Sequence, residues 1–193
     1  TMACCCIGMS LHGGVIPACG TFFVFSDYMK PAVRMAALME LPVKFIWTHD
    51  AFRVGEDGPT HEPVEQEAQI RLMEKLKNHS GKPSTLVLRP ADAKETTEAW
   101  ALAMNNMSTP TALILSRQNI NNLPEGNDYS LVAKGGYVVA GSDANPDVIL
   151  VATGSEVSTL IAGAELLRKD GKKVSIVSVP SEGLFRQQSK EYQ

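Results

Sequence analysis

Short runs with strand character alternate with longer segments of helical periodicity through the first half of the chain. The short runs are rich in apolar, β-branched and aromatic side chains, and the segments between them repeat apolar residues every three or four positions. Strands separated by helices of about ten to fifteen residues are typical of a parallel sheet with helices on its faces. The sequence therefore predicts an α/β fold. The predicted strands are residues 17–25, 43–47, 85–88 and 111–115, and the predicted helices are residues 2–11, 27–40, 63–77 and 92–104.

The third predicted helix has a simple apolar pattern. Pro63 suits the first turn of a helix, because proline lacks an N–H group that this turn would leave unpaired. Apolar residues at four-residue steps predict one apolar face along the helix. These residues are Val64, Ala68, Leu72 and Leu76.

A second α/β segment follows a break in the pattern. Residues 117–146 are rich in Asn, Gly and Pro, which is typical of a connection between domains. We therefore predict one domain at residues 1–116, a linker at 117–146 and a second domain at 147–193. Because so short a segment cannot close a core of its own, we expect this second domain to be truncated.

The second segment has its own local signals. The sequence predicts strands at residues 148–151 and 173–179 with a helix between them, which Gly171 ends. Thr153 and Glu156 have the spacing of a capping box at the start of this helix. The apolar face of the helix consists of Val157, Leu160, Ile161, Ala164 and Leu167.

Composition limits the classes of partner. A net charge of −3 and a pI near 5.8 provide no basic field, so nucleic acid is not an expected partner. The sequence has no apolar run of about 20 residues and no secretory signal pattern, so we expect a soluble, cytoplasmic protein without a membrane segment. Cys4, Cys5, Cys6 and Cys19 match neither a zinc site nor a disulfide framework, and we predict that they are buried.

Residues 49–61 concentrate titratable side chains directly after a predicted strand. They contain two histidines, three acids and one arginine, and Gly55, Gly58 and Pro59 prevent the strand or a helix from continuing. In parallel α/β sheets, ligands bind in the crevice beyond the carboxyl ends of the strands. This loop is therefore a candidate functional site, although an isolated His or Asp in such a loop is more often simply hydrated.

Five motifs, in order, resemble those of transketolase across essentially the whole chain. They are LHGG at residues 11–14, AVRMAAL at 32–38, THDAFRVGEDGPTHEPVEQ at 48–66, PTALILSRQN at 110–119 and ATGSEV at 152–157. The resemblance implies that residues 1–116 form most of a pyrimidine-binding domain with a parallel sheet. It also implies that residues 147–193 begin the α/β carboxy-terminal domain.

The resemblance implies an activity and its cofactors. Transketolases are homodimers that bind thiamine diphosphate and a divalent cation, Mg or Ca, at the subunit interface. They transfer a two-carbon ketol unit from a ketose phosphate, of the xylulose 5-phosphate type, to an aldose phosphate, of the ribose 5-phosphate type, in the pentose phosphate pathway. The cation ligands of the family lie in a domain outside this sequence, so we expect no metal ligand here.

The resemblance also bears on the activity of the 193 residues by themselves. It places the essential glutamate of the family two residues before Thr1. We therefore expect this polypeptide alone to be inactive. Two alternatives remain, a thiamine enzyme similar to dihydroxyacetone synthase and a non-catalytic binding module with the same fold.

Three aromatic residues match the family pocket for the aminopyrimidine ring of the cofactor. Phe25 matches the residue that stacks on this ring, and Phe22 and Tyr28 match its neighbours. Aromatic faces suit a flat heterocycle. Without the resemblance, their spacing would favour ordinary core packing.

Four polar residues match the substrate positions of the family. His49 and Arg117 correspond to the pair that receives the sugar phosphate, and Asp57 to the residue that accepts a hydrogen bond from the C2 hydroxyl. His61 corresponds to a histidine beside the reacting carbons, where it can relay protons, and is the candidate catalytic residue. Arg53 either adds to phosphate binding or faces solvent.

Overall fold

The computed structural model describes residues 1–51, 53–141 and 145–193. The chain divides into two compact units. The first unit comprises Thr1–Leu88 and Trp100–Gln118, and the second comprises Arg89–Ala99 and Asn119–Gln193.

A parallel sheet of four strands forms the centre of the first unit, in the order β1-β2-β4-β3. All three strand pairs are parallel, so the predicted α/β fold is confirmed. The elements are α1 (Met2–His12), β1 (Ala18–Phe22), α2 (Ser26–Leu38), β2 (Lys44–Thr48), α3 (Gln66–Lys75), β3 (Leu86–Leu88), α4 (Ala93–Asn105) and β4 (Thr111–Ile114), with short 3-10 helices at Phe23–Phe25 and Gly55–Thr60.

The core of the first unit lies between the sheet and its helices. Phe45 and Trp47 of β2 are almost completely buried, together with Val33 and Ala36 of α2. The Trp47 indole N–H donates to the sulfur of Met29 at 3.5 Å, so its polar atom is satisfied inside the core. Burial of each large apolar side chain contributes roughly 1.5–3 kcal/mol to folding. This packing fixes the strand ends that carry the candidate site.

The second unit contains a three-stranded sheet in the order β5-β7-β6. Strands β6 and β7 are parallel, whereas β5 and β7 are antiparallel. Its elements are a 3-10 helix at Tyr129–Lys134, β5 (Tyr137–Ala140), β6 (Val148–Ala152), α5 (Glu156–Lys169), β7 (Val174–Ser178) and α6 (Glu182–Arg186). Strand β5 lies inside the segment whose composition predicts a linker, so that segment is not structureless.

A buried hydrogen-bond network supports β5. Glu95 is fully buried, and its carboxylate accepts hydrogen bonds from the Ala91 N–H at 2.7 Å and from the Tyr137 hydroxyl at 2.8 Å. Asp92 accepts from the Glu95 N–H at 2.7 Å and from the Tyr129 hydroxyl at 3.0 Å. Burial raises the pKa of Glu95, which the surrounding donors oppose. The network links the start of α4 to β5.

The apolar face predicted for the third helix is exposed, so this part of the sequence interpretation is wrong. Val64 and Leu72 are 82% and 62% exposed, and the buried positions include Gln66 and Arg71. The helix begins at Gln66 and not at residue 63, because the Gln66 side chain accepts from the Val64 N–H at 2.8 Å and donates to Asp27 at 2.9 Å. Polar residues with internal partners therefore occupy the inward face.

Two further local predictions are corrected. Cys6 and Cys19 are buried as predicted, but Cys4 and Cys5 are exposed because only one face of α1 packs against the unit. The capping box does not form, because the helix begins at Glu156 itself, whose carboxylate pairs with Arg89 at 2.5 Å. Across the described residues, no helix is both long and apolar enough to cross a membrane.

Candidate functional site

The candidate site lies in the first unit at the carboxyl ends of adjacent parallel strands. Phe22, the last residue of β1, pairs in register with Thr48, the last residue of β2. His49 follows Thr48 directly, and Arg117 lies three residues after the end of β4, which is the other neighbour of β2. The sheet therefore brings together residues that are far apart in sequence.

His49 is held in an unusual backbone conformation. Its φ is +62°, in the left-handed region that residues other than glycine rarely occupy. Its imidazole stacks on the Phe22 ring with centroids 3.6 Å apart and planes at 19°, and its Nδ1 lies 2.9 Å from the Thr48 hydroxyl. Strain of this kind costs of order 1–3 kcal/mol and persists when surrounding contacts fix the residue. Phe22 and Thr48 supply these contacts.

The electrostatic surroundings of His49 include the other predicted polar residues. Burial lowers the pKa of His49 below its usual value of 6.5, and the positive charge of Arg117 and the nearby His61 lower it further. Asp57 and Asp50 act in the opposite direction. The shift favours a neutral imidazole at neutral pH, which can donate one hydrogen bond and accept another.

The second histidine, His61, follows the 3-10 helix Gly55–Thr60. The Thr60 hydroxyl donates to the Asp57 carbonyl at 3.2 Å and lies 2.8 Å from Nδ1 of His61. Because a hydroxyl has one proton to donate, Nδ1 of His61 is the donor in the second contact. In the neutral ring this leaves Nε2 as an acceptor, free to take a proton.

Arg117 and Asp57 present charged groups to solvent at this strand end. Both side chains are exposed, as is Arg53 on the same loop. The Arg117 guanidinium lies against the backbone of Gly55, whose φ is +75°. An exposed guanidinium offers a fork of donors that matches the oxygens of a phosphate group.

The aromatic residues divide into two groups. Phe25 and Tyr28 line an open cleft of about 300 Å³ that residues of α1 complete. Their ring centroids are 6.1 Å apart, and Tyr28 is 84% exposed. Phe22 is outside the lining of this cleft, and one face of its ring carries His49. The cleft with its aromatic faces suits a flat heterocycle.

Phe25 also contacts the polar part of the site. Its ring meets the His61 ring edge to face, with centroids 5.3 Å apart and planes at 83°. The aromatic cleft and the His61 side chain are therefore adjacent. Within the residues that the structure describes, no group of three or more His, Cys, Asp or Glu side chains is placed to hold a metal ion.

Sequence reasoning missed the residues that support the two histidines. Thr48 and Thr60 each precede a histidine, and each hydroxyl contacts Nδ1 of the following ring. The repeated Thr-His dipeptide was a signal that could have identified them. Asp50, only 4% exposed, and Gly55 were also missed as parts of the site, because their roles depend on contacts that the local sequence does not encode.

Comparison with protein families gives two matches. The family described as "Transketolase, pyrimidine binding domain" matches residues 1–122, and the family described as "Transketolase-like TK C-terminal domain" matches residues 135–193. Among individual proteins, the probable transketolase of Streptococcus pneumoniae is 51% identical over 185 residues. The transketolase of Bacillus subtilis is 50% identical over 188 residues. Each match covers 96% of this chain but only 27% of the relative.

Solved structures give the same result. A Pichia stipitis transketolase in complex with sedoheptulose-7-phosphate superposes with a TM-score of 0.87 at 39% identity, covering 99% of this chain and 27% of that one. A structure described as a split gene transketolase, inactive β4 tetramer, matches with a TM-score of 0.68 at 25% identity, covering 92% of this chain and 53% of that one. With two family matches that together span most of its length, this chain belongs to the transketolase family.

Proposed function

We propose that this chain forms one side of the substrate-binding site of a transketolase, an enzyme that transfers a two-carbon ketol unit between sugar phosphates. The donor is a ketose phosphate of the xylulose 5-phosphate type and the acceptor is an aldose phosphate of the ribose 5-phosphate type, in the cytoplasmic pentose phosphate pathway. The observation that carries the proposal is the convergence of His49, His61, Asp57 and Arg117 at one end of the sheet. The Pichia stipitis relative in complex with sedoheptulose-7-phosphate supports the substrate class.

We assign the phosphate group of the sugar to Arg117 and His49. The exposed guanidinium supplies paired donors and a permanent positive charge. His49 adds a hydrogen bond, and the arrival of a phosphate dianion beside it would favour protonation of the ring, because opposite charge stabilises the charged form. The two residues together would fix the far end of an extended sugar.

We assign the reacting end of the sugar to Asp57 and His61. The Asp57 carboxylate is exposed on the same loop and can accept a hydrogen bond from a sugar hydroxyl, which favours one configuration at C2. His61 holds a proton on Nδ1 and leaves Nε2 to accept or return one. An imidazole ring in this position is suited to relaying protons between hydroxyl and carbonyl oxygens.

Thiamine diphosphate is the proposed cofactor, and Phe25 and Tyr28 are the proposed platform for its pyrimidine ring. Offset stacking on an aromatic face contributes roughly 0.5–1.5 kcal/mol beyond the area it buries. When bound, the cofactor supplies an electron sink for the carbon–carbon bond chemistry. Phe22 lies outside the lining of this pocket, where it contacts Phe25 and stacks on His49. We assign the ligands of the divalent cation, Mg²⁺ or Ca²⁺, to the part of the protein outside this chain.

We also propose that the whole protein is a homodimer and that α1 faces another part of the assembly. Only Ala3 and Cys6 of α1 are buried, whereas Met2, Met9 and Leu11 are 45%, 50% and 59% exposed. A helix that is apolar all round is usually covered on every side. The proposed domain division remains 1–116, 117–146 and 147–193.

An activity assay tests the proposal. The 193-residue polypeptide alone is expected to show no ketol transfer from xylulose 5-phosphate to ribose 5-phosphate, with thiamine diphosphate and magnesium present. It spans 27% of the length of the Bacillus subtilis relative, and the split gene transketolase is described as an inactive β4 tetramer. Adding the region of Bacillus subtilis transketolase that precedes the matched segment is expected to produce activity.

Two outcomes would contradict the proposal. Ketol transfer by the 193 residues alone would show that it is wrong to assign part of the active site to a region outside this chain. Formation of a stable complex with the added region that binds the cofactor but transfers no ketol unit would favour a binding module or a different donor specificity.

A further inference from the structure

Gly55 and Arg117 are in direct contact although one belongs to the loop after β2 and the other follows β4. A Cβ atom built on Gly55 would lie 2.8 Å from Cζ of Arg117 and 3.0 and 3.1 Å from its two terminal nitrogens. The carbon at the centre of the guanidinium is nearest and the two nitrogens are almost equally distant. The Cα of Gly55 therefore faces the flat side of the guanidinium and not its edge.

We propose that Gly55 is a positioning residue, whose missing side chain lets the Arg117 guanidinium lie flat against the loop backbone beside His49. Because the N–H groups lie in the plane of the guanidinium, contact with its flat side blocks none of them, and these groups are the ones that bind oxyanions in pairs. The role in binding a sugar phosphate rests on the proposed function. The contact itself does not.

A side chain at residue 55 would displace Arg117 and leave the fold intact. The atoms in its way are the far end of a long, flexible and exposed side chain, which can move at little cost. The φ of +75° adds the ordinary penalty for a residue with Cβ in the left-handed region. These two effects can be separated, because other glycines of the unit have the same φ and open space around them.

Gly81 is the matched control. Its φ is also +75°, it belongs to the same unit, and a Cβ atom there would meet nothing within 4 Å. Gly55→Ala and Gly81→Ala therefore share the backbone penalty, and only Gly55→Ala moves Arg117.

The displacement has a readout that needs no ligand. The charge of Arg117 lowers the pKa of His49, together with burial and His61, while Asp57 and Asp50 raise it. Movement of the guanidinium away from His49 should therefore raise the pKa of His49. The experiment measures this pKa by NMR titration and the order of the Arg117 side chain by ¹⁵N relaxation, in the wild-type chain and in both variants.

Gly55→Ala is expected to raise the pKa of His49 and to increase the mobility of the Arg117 guanidinium, and Gly81→Ala is expected to change neither. In an Arg117→Gln background, Gly55→Ala should cause no further change in the pKa of His49, because its effect acts through the missing guanidinium. The proposal would be overturned if, in Gly55→Ala, the pKa of His49 were unchanged and the Arg117 side chain stayed ordered. It would also be overturned if both glycine variants changed the pKa of His49 equally, or if Gly55→Ala changed this pKa as much in the Arg117→Gln background as in the wild-type chain.

Titration with ribose 5-phosphate then separates this inference from the proposed function. Gly55→Ala is expected to weaken binding roughly tenfold, as for loss of a hydrogen bond to a charged group, with Gly81→Ala as wild type. If Gly55→Ala shifts His49 and frees Arg117 while the wild-type chain binds no ribose 5-phosphate, the positioning role is supported and the proposed substrate is wrong.

Discussion

At the scale of single residues, the candidate site depends on neighbours that fix each functional side chain. Phe22 stacks on His49 at 3.6 Å, and Phe25 meets the edge of His61 at 5.3 Å. Phe22 also meets His61 edge to face, with ring centroids 6.0 Å apart, so both phenyl rings contact His61 and Phe22 in addition stacks on His49. The two phenyl rings themselves stack with centroids 6.1 Å apart.

Phe22→Leu should release His49 from its stacked position and should affect His61 less, because Phe22 meets the His61 ring edge to face at the longer centroid distance of 6.0 Å. An imidazole stacked face to face on a phenyl ring experiences a strong ring current, so removal of Phe22 is expected to move the His49 ring proton signals downfield in NMR spectra. Phe25→Leu is the matched control, because it keeps the size change but removes the contact with His61 instead. A Phe22→Leu spectrum in which the His49 signals are unmoved would contradict the stacking.

Part of the site could be predicted from sequence at this scale. Gly55, Gly58 and Pro59 indicated that the strand ends before the two histidines and Asp57, which is confirmed, but Asp57 lies in a short 3-10 helix, Gly55–Thr60, that the sequence did not predict. The partners of Arg117 could not be predicted, because its contact with Gly55 joins segments separated by two helices and two strands. The support of His49 by Phe22 likewise depends on the register between β1 and β2.

At the scale of elements, apolar runs in the sequence predicted the positions of the strands well. A run of apolar residues is almost enough to identify a buried parallel strand. The face of α3 was predicted wrongly, since Gln66 and Arg71 are buried with polar partners while Val64 and Leu72 are exposed. Strand β5 was missed because its burial depends on the distant pair Tyr137 and Glu95. Local periodicity contains no information on such long-range polar contacts.

Buried Lys44 in β2 is expected to make the stability of the first unit depend on pH. Its side chain is 1% exposed, its ammonium donates to the Asn106 carbonyl at 2.6 Å, and burial lowers its pKa from 10.5 to about 8. Between these two values the unfolded chain binds more protons than the folded chain, so the free energy of unfolding should rise as pH increases from about 8 to 10.5.

This rise is limited to roughly 3 kcal/mol and should be absent in Lys44→Met. Urea unfolding monitored through Trp47 and Trp100, which both belong to the first unit, measures it. Lys82→Met, at an exposed position, is the control. A pH dependence that survives in Lys44→Met would show that another group causes it.

The Tyr137 hydroxyl is expected to contribute more stability than that of Tyr129. Tyr137→Phe removes one donor from fully buried Glu95, which should cost about 1–3 kcal/mol. Tyr129→Phe deletes the same atom at a half-buried position and should cost less, because the same oxygen of Asp92 still accepts from the Leu123 N–H at 3.0 Å. Hydrogen exchange of the β5 and β7 amides measures both, and equal protection in the two variants would contradict the account.

At the scale of the whole molecule, the parallel sheet of the first unit positions every residue of the candidate site. The alternation of strands and helices predicted this sheet, and the change in composition after residue 116 indicated a second unit. The assignment of residues 89–99 to the second unit was not predictable, because Arg89, Asp92 and Glu95 find their partners only once that unit folds. The chain spans 27% of the length of the Streptococcus pneumoniae and Bacillus subtilis relatives.

A chimaera tests the central claim, that the strand ends of the first unit form a sugar-phosphate site. These 193 residues would replace the corresponding region of Bacillus subtilis transketolase, to which they are 50% identical over 188 residues. The measurement is the KM for ribose 5-phosphate with and without Arg117→Gln. The chimaera is expected to be active, and Arg117→Gln should raise this KM by about tenfold or more with a smaller change in kcat. An active chimaera whose KM is unchanged by Arg117→Gln would contradict the account.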